Sequence, residues 1–161
     1  MAAPKRQTEA DAAVDSVVMQ VDSTRFGKFD VDPDRLLRFT ECLLGFPDSV
    51  TYAVVEVDES AYVWLQSVEE PDVAFLATSP FAFFPEYELD LGVQQQSDLG
   101  VESSDQVEVL VLLTINRVGD SPTSITANLL GPIVINVESR TARQLVLESS
   151  GHSTREPLVA A

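Results

Sequence analysis

Turn signals recur along this chain at short spacing: Asp32-Pro33-Asp34, Phe46-Pro47-Asp48, Glu70-Pro71-Asp72, Ser79-Pro80, Gly119-Asp120-Ser121-Pro122 and Gly131-Pro132. Proline fixes φ and lacks an amide hydrogen, so each marks a place where a regular element gives way to a chain reversal. The runs between them are β-rich: Val17–Val21, Arg25–Val31, Tyr52–Val57, Tyr62–Val68, Val73–Thr78, Pro132–Val137 and Gln144–Glu148. Val107–Ile115 reads as a central strand buried on both faces, because its apolar run is continuous rather than alternating. Short strands at this spacing predict an all-β fold, a single-domain small β-barrel or sandwich with one or two short helical turns. The helical patch falls between Leu89 and Val107, with Ser97 or Ser103-Ser104 as N-caps.

A length of 161 residues fits one domain. Residues 1–16, rich in alanine with mixed charge, read as a flexible N-terminal tail, and 17–161 as the β domain. With 45% hydrophobic residues the domain has the material for a core. The longest strongly apolar stretch, Val107–Ile115, is far short of the roughly 20 residues of a spanning helix. Glu9 and Asp11 stand where a signal peptide needs an apolar stretch. A single cysteine, Cys42, excludes an internal disulfide and fits a reducing compartment. The expected location is the cytoplasm, with no membrane association.

Twenty-six Asp and Glu against ten Lys and Arg give a formal net charge of −16. Direct nucleic-acid binding requires the opposite sign. The distribution says more than the sum. Every Lys and Arg lies at or before Arg38 or at or after Arg117, and between Phe39 and Asn116 stand fifteen acids and no base. Such a face either solvates the protein or attracts a basic protein partner.

Catalytic patterns are missing, and the chain reads as a non-enzyme without cofactor or metal. His152, the sole histidine, lies in the polar stretch 149–153 and reads as a surface residue. Cys42, beside Leu43 and Leu44, reads as a packed small residue. The glycines are scattered, so no phosphate-cradling loop forms. Asp30, Asp32, Asp34 and Glu41 fall at positions 1, 3, 5 and 12 of a calcium-loop register, but Arg35 replaces the glycine of its sharp turn and the flanks read as strands.

Several runs together resemble the flagellar assembly factor FliW family. They are Ser23-Thr24-Arg25-Phe26-Gly27-Lys28-Phe29, Phe39 to Phe46, Trp64-Leu65-Gln66-Ser67 with Glu69-Glu70-Pro71-Asp72 and Ala74-Phe75, Pro80-Phe81 with Phe84-Pro85-Glu86-Tyr87-Glu88, and Thr126 to Asn136. Arg140, Gln144 and the closing Ser153-Thr154-Arg155 with Pro157-Leu158 are similar as well. The resemblance covers about Val21 to Leu158. Cys42 stands where the family usually has glycine and Leu44 where it usually has proline, so this loop is expected to be shaped differently.

The resemblance implies a small cytosolic β protein that binds two partners. One is CsrA, a basic RNA-binding repressor of flagellin translation; the other is flagellin. The implied role is that of a CsrA antagonist and flagellin-binding assembly factor, coupling flagellin synthesis to flagellum assembly. The alternative is an acidic nucleic-acid mimic aimed at another basic DNA- or RNA-binding protein. For the CsrA-binding face the expected residues are Glu69, Glu70, Asp72, Glu86, Tyr87, Glu88 and Asp90, with Tyr87 as an aromatic anchor. Gln66, Asn128 and Asn136 either face a partner or satisfy buried backbone groups, and Arg155 is either a binding residue or an internal ion-pair member. Trp64, Leu65, Phe75, Phe81, Phe83 and Phe84 read as core, with Phe83-Phe84-Pro85 open as an apolar rim.

Overall fold

The computed structural model describes residues 18–43, 45–119, 121–148 and 150–158. The expected tail, Leu44 and residues 159–161 lie outside them. Among the described residues eleven strands form: β1 (Met19–Ser23), β2 (Gly27–Val31), β3 (Leu36–Phe39), β4 (Thr51–Glu56), β5 (Tyr62–Ser67), β6 (Ala74–Thr78), β7 (Val107–Val118), β8 (Ser121–Ala127), β9 (Ile133–Asn136), β10 (Thr141–Gln144) and β11 (Glu156–Pro157). One helix, α1 (Val93–Leu99), and three short 3-10 turns complete the described elements.

Seven strands close a barrel in the order β7-β9-β10-β3-β4-β5-β6 and back to β7. Closure removes the open sheet edges of these strands. Neighbours are antiparallel except β10 and β3, which run parallel through Thr141–Arg38 and Ala142–Phe39. The twelve-residue β7 is the hinge of the topology. On one side it pairs with β6, and along its length it also takes β9 and then β8, with the 128–132 loop between those two. β11 pairs with β8 outside the barrel.

Period-two alternation selects the core. Leu37 and Phe39 of β3, Tyr52 of β4, Leu65 of β5, Ala77 of β6, Leu110 of β7, Ile133 and Ile135 of β9 and Ala142 of β10 pack as one cluster inside the barrel. The opposite face of β7 is also covered: Val111 and Leu113 pack under Tyr87 and Leu129, and Val109 under Leu99 and Val101. That second layer is why the β7 run is apolar throughout. The β1–β2 hairpin lies against the outside of the barrel, with Val21 and Val31 on Ala53.

Several boundaries differ from expectation. The sequence pattern does not mark β3 and β8, because Arg38 interrupts the short β3 and Pro122 stands at the second position of β8. The strand expected at Gln144–Glu148 ends at Gln144; beyond it, Leu145 and Leu147 donate their amides to Pro132 O (2.8 Å) and Leu130 O (2.8 Å) in irregular pairing. Thr24 to Phe26 turn rather than extend, and Gly27 supplies a φ of 74° there. Gly92, not Ser97, is the N-cap of α1, and Gly100 caps its C-terminus in the left-handed region at φ 78°. Ser103 does precede a 3-10 turn, as expected. Cys42 is exposed rather than packed, and Leu43 takes the core place. Trp64 points outward on β5, half-covered by Phe26 and by the Arg25 guanidinium 4.2 Å from its ring centre.

Candidate partner-binding surface

Gln66 lies on the outer face of β5 yet is fully buried, because the hairpin and the β5–β6 turn close over it. Its Nε2 donates to Ser67 O (3.0 Å), Pro71 O (3.1 Å) and Val73 O (3.2 Å), and its Oε1 accepts from Ser23 Oγ (2.7 Å). The amide therefore knots hairpin and turn together. Of the two readings left open for Gln66, the structure places it in the one that satisfies buried backbone. Glu69 and Glu70 serve the same turn. Glu69 Oε1 accepts from the Val50 and Thr51 amides, and Glu70 accepts from Ser49 Oγ, which also shares a hydrogen bond with Ser67 Oγ. Asp72 is exposed.

Glu86, Tyr87, Glu88 and Asp90 lie beyond the other end of β6, a strand that spans roughly 16 Å. The seven residues expected to form one face therefore fall into two groups. Glu86, Glu88 and Asp90 are exposed, whereas Tyr87 is 6% exposed. Its hydroxyl donates to Leu129 O (2.8 Å), tying this segment to the 128–132 loop. Tyr87 is thus a core tether, not an exposed anchor, and His152 lies half-buried against its ring at 4.8 Å between centres. The exposed aromatic of this region is Phe81. Phe83 stacks on Tyr62 instead of forming a rim.

Burial pushes Tyr87 up to about 12, and burial, partly offset by Ser49, does the same for Tyr52. Both phenols stay protonated in the fold while those of an unfolded chain ionise near 10. Their stabilising contribution is complete below pH 10 and declines as pH rises toward 12. Tyr87→Phe leaves Leu129 O without its donor; the expected cost is about 1–2 kcal/mol, read by thermal or urea unfolding. An unchanged midpoint would contradict the tether.

A groove of about 580 Å³ gathers residues from four of the motif segments. Leu43, Phe46, Phe75, Leu112, Leu130 and Val146 supply its apolar lining, with Cys42 also on it. Asn128 Oδ1 accepts from Gly131 N (2.9 Å), and Gln144 Nε2 donates to Gly131 O (3.0 Å), so Asn128 shapes the loop beside the groove. A Cβ on Gly131 would stand 3.0 Å from both side-chain amides, which explains glycine there. Asn136 is buried, donating to Leu99 O (2.9 Å) and accepting from the Glu138 and Ser139 amides. Arg155 is exposed and joins none of the ion pairs among the described residues, which are Arg35–Glu56, Arg143–Glu41 and Arg143–Asp98. Asp32 Oδ1 caps the turn at Asp34 N, so the calcium-like spacing is a chain reversal between strands.

A family model described as FliW protein matches residues 20–158. The chain belongs to the FliW family. It is 36% identical over 142 residues to the flagellar assembly factor FliW of Magnetococcus marinus, covering 88% of this chain and 85% of that one. To the flagellar assembly factor FliW of Moorella thermoacetica it is 38% identical over 141 residues, covering 87% and 88%. A crystal structure of the flagellar assembly factor FliW matches at a TM-score of 0.78 and 29% identity, over 89% of this chain and 99% of that one. The closed barrel with a single described helix is thus a FliW fold, and the family is one of flagellar assembly factors. No helix among the described residues is long and apolar enough to cross a membrane.

Proposed function

We propose that this chain acts in the cytoplasm as an antagonist of the translational repressor CsrA and as a flagellin-binding factor. The observation that carries the first half is the exposure of its acids. Of the fifteen between Phe39 and Asn116, fourteen are exposed and only Glu70 is half-buried. Among the described residues, only Glu41, Glu56 and Asp98 of them meet a base. A repressor that holds RNA phosphates presents a basic surface, and this field complements it.

The field acts without entering the RNA groove. A protein docked beside that groove repels the RNA backbone and lowers RNA affinity with no shared contact. Glu86, Glu88 and Asp90 are the contact acids, because Glu69 and Glu70 are engaged in holding the β5–β6 turn. The apolar groove beside the 128–132 loop supplies the kind of surface that an amphipathic flagellin segment takes. Calorimetry with purified CsrA and flagellin, at low and at physiological salt, tests the reading. CsrA binding weakens as salt rises, since screening sets in over about 8 Å at physiological ionic strength, while flagellin binding changes less. Absence of binding to both partners at low salt would leave the acidic field to another basic protein.

A further inference from the structure

A second concavity, of about 430 Å³, lies apart from the groove, between α1 and the segment that follows β6. Val101 and Val109, both nearly fully buried, form its floor, and Leu91 a wall. Phe81, 46% exposed, stands on its rim with the exposed carboxylates of Asp90 and Glu102. The walls are held in place: Gln96 Nε2 donates to Leu91 O (2.9 Å), and Gln106 Oε1 accepts from the Glu102 (2.6 Å) and Ser103 (3.1 Å) amides. The Ser103 hydroxyl is spent on Asp105, a bond that helps hold the Asp105 carboxyl below the usual range. One Gln96 N–H and both Ser103 donors are therefore used within the chain, while neither Asp90 nor Glu102 is in an ion pair among the described residues.

From this geometry we propose that the concavity is a socket for an arginine side chain projecting from a basic protein partner. An apolar floor takes the aliphatic stem, and two carboxylates at the rim take the head. The exposed Phe81 ring selects the planar guanidinium over a lysine ammonium, because guanidinium stacks on an aromatic face while forking to carboxylates. The socket converts a diffuse acidic field into one oriented contact. That CsrA is the partner rests on the function proposed above; the socket itself does not.

Two measurements separate these. In the first, amide signals of the labelled protein are followed by NMR during titration with N-acetylarginine amide, with the neutral isostere N-acetylcitrulline amide as control. Shifts at Leu91, Val101 and Val107 are expected with arginine only, and are lost in the Asp90→Asn, Glu102→Gln double variant. No shift, or equal shifts with both probes, overturns the socket. In the second, CsrA binding to the same double variant is expected to fall about tenfold, against less than twofold for Asp48→Asn with Asp58→Asn, which removes the same charge elsewhere. Equal losses in both variants, or none in either, would overturn the socket as the CsrA contact. A wild-type protein that binds the arginine probe but not CsrA would instead retire the CsrA reading and keep the socket.

Discussion

Gln66→Ala lowers the unfolding free energy by about 3 kcal/mol, one of the two largest effects expected of this chain. Alanine removes an amide that satisfies three carbonyls and the Ser23 hydroxyl at a site with no exposure, and it leaves a void as well. Ser67 O loses its side-chain donor, while Pro71 O and Val73 O keep the backbone amides of Thr24 and Ser67. For a domain of this size the loss corresponds to a melting point about 10 °C lower. Ser23→Ala, which deletes one donor from the same knot and the acceptor of the Arg25 and Phe26 amides but leaves a smaller void, costs about 2 kcal/mol. Urea unfolding of both variants checks the ordering. A Gln66→Ala loss no larger than that of Ser23→Ala would show that the hairpin holds by its Val21 and Val31 packing alone.

The second large effect is on binding. Reversing Glu86, Glu88 and Asp90 to lysine lowers CsrA affinity about a hundredfold at physiological salt, because three attractive charges become repulsive. The fold survives, since all three side chains are exposed. The loss narrows as salt rises and screening flattens both fields. Reversing Glu70 gives the contrary pattern: it breaks the hydrogen bond from Ser49 at the β5–β6 turn and lowers stability first. A triple-lysine variant that melts like the wild type and binds CsrA equally well would remove this segment from the interface.

The parts of the fold legible in the sequence were those where one strand face alone decides packing. Tyr52–Glu56, Tyr62–Ser67 and Ala74–Thr78 show β-branched and aromatic residues between clear turns, and each is a strand. The uninterrupted β7 run correctly signalled cover on both faces, which the segment from Tyr87 to Val101 provides. Less legible was what lies outside the barrel. Trp64 and Gln66 share the outer face of β5, and only the docking of the β1–β2 hairpin makes one half-covered and the other fully buried. Sequence spacing does not encode that docking.

The acidity of the proposed contact face was legible in the sequence, but the placement of its residues was not. Glu69-Glu70 and Glu86-Glu88 are close in sequence, yet a full strand separates them. A signal for Tyr87 was present: an aromatic between two acids separates the one side chain that seeks the core from two that seek water. Asp90 and Glu102 meet at one concavity only because α1 folds the intervening chain back, a return marked in the sequence by little more than Gly92 and Gly100.

The proposed coupling of flagellin synthesis to assembly requires CsrA and flagellin to exclude one another on this protein, and competition calorimetry tests that most directly. Flagellin is titrated into the preformed complex of this protein with CsrA at physiological salt. The account predicts that CsrA is displaced, so that flagellin shows a lower apparent affinity than it does for the free protein, and that released CsrA regains RNA binding. Flagellin binding with unchanged affinity while CsrA stays bound would contradict it.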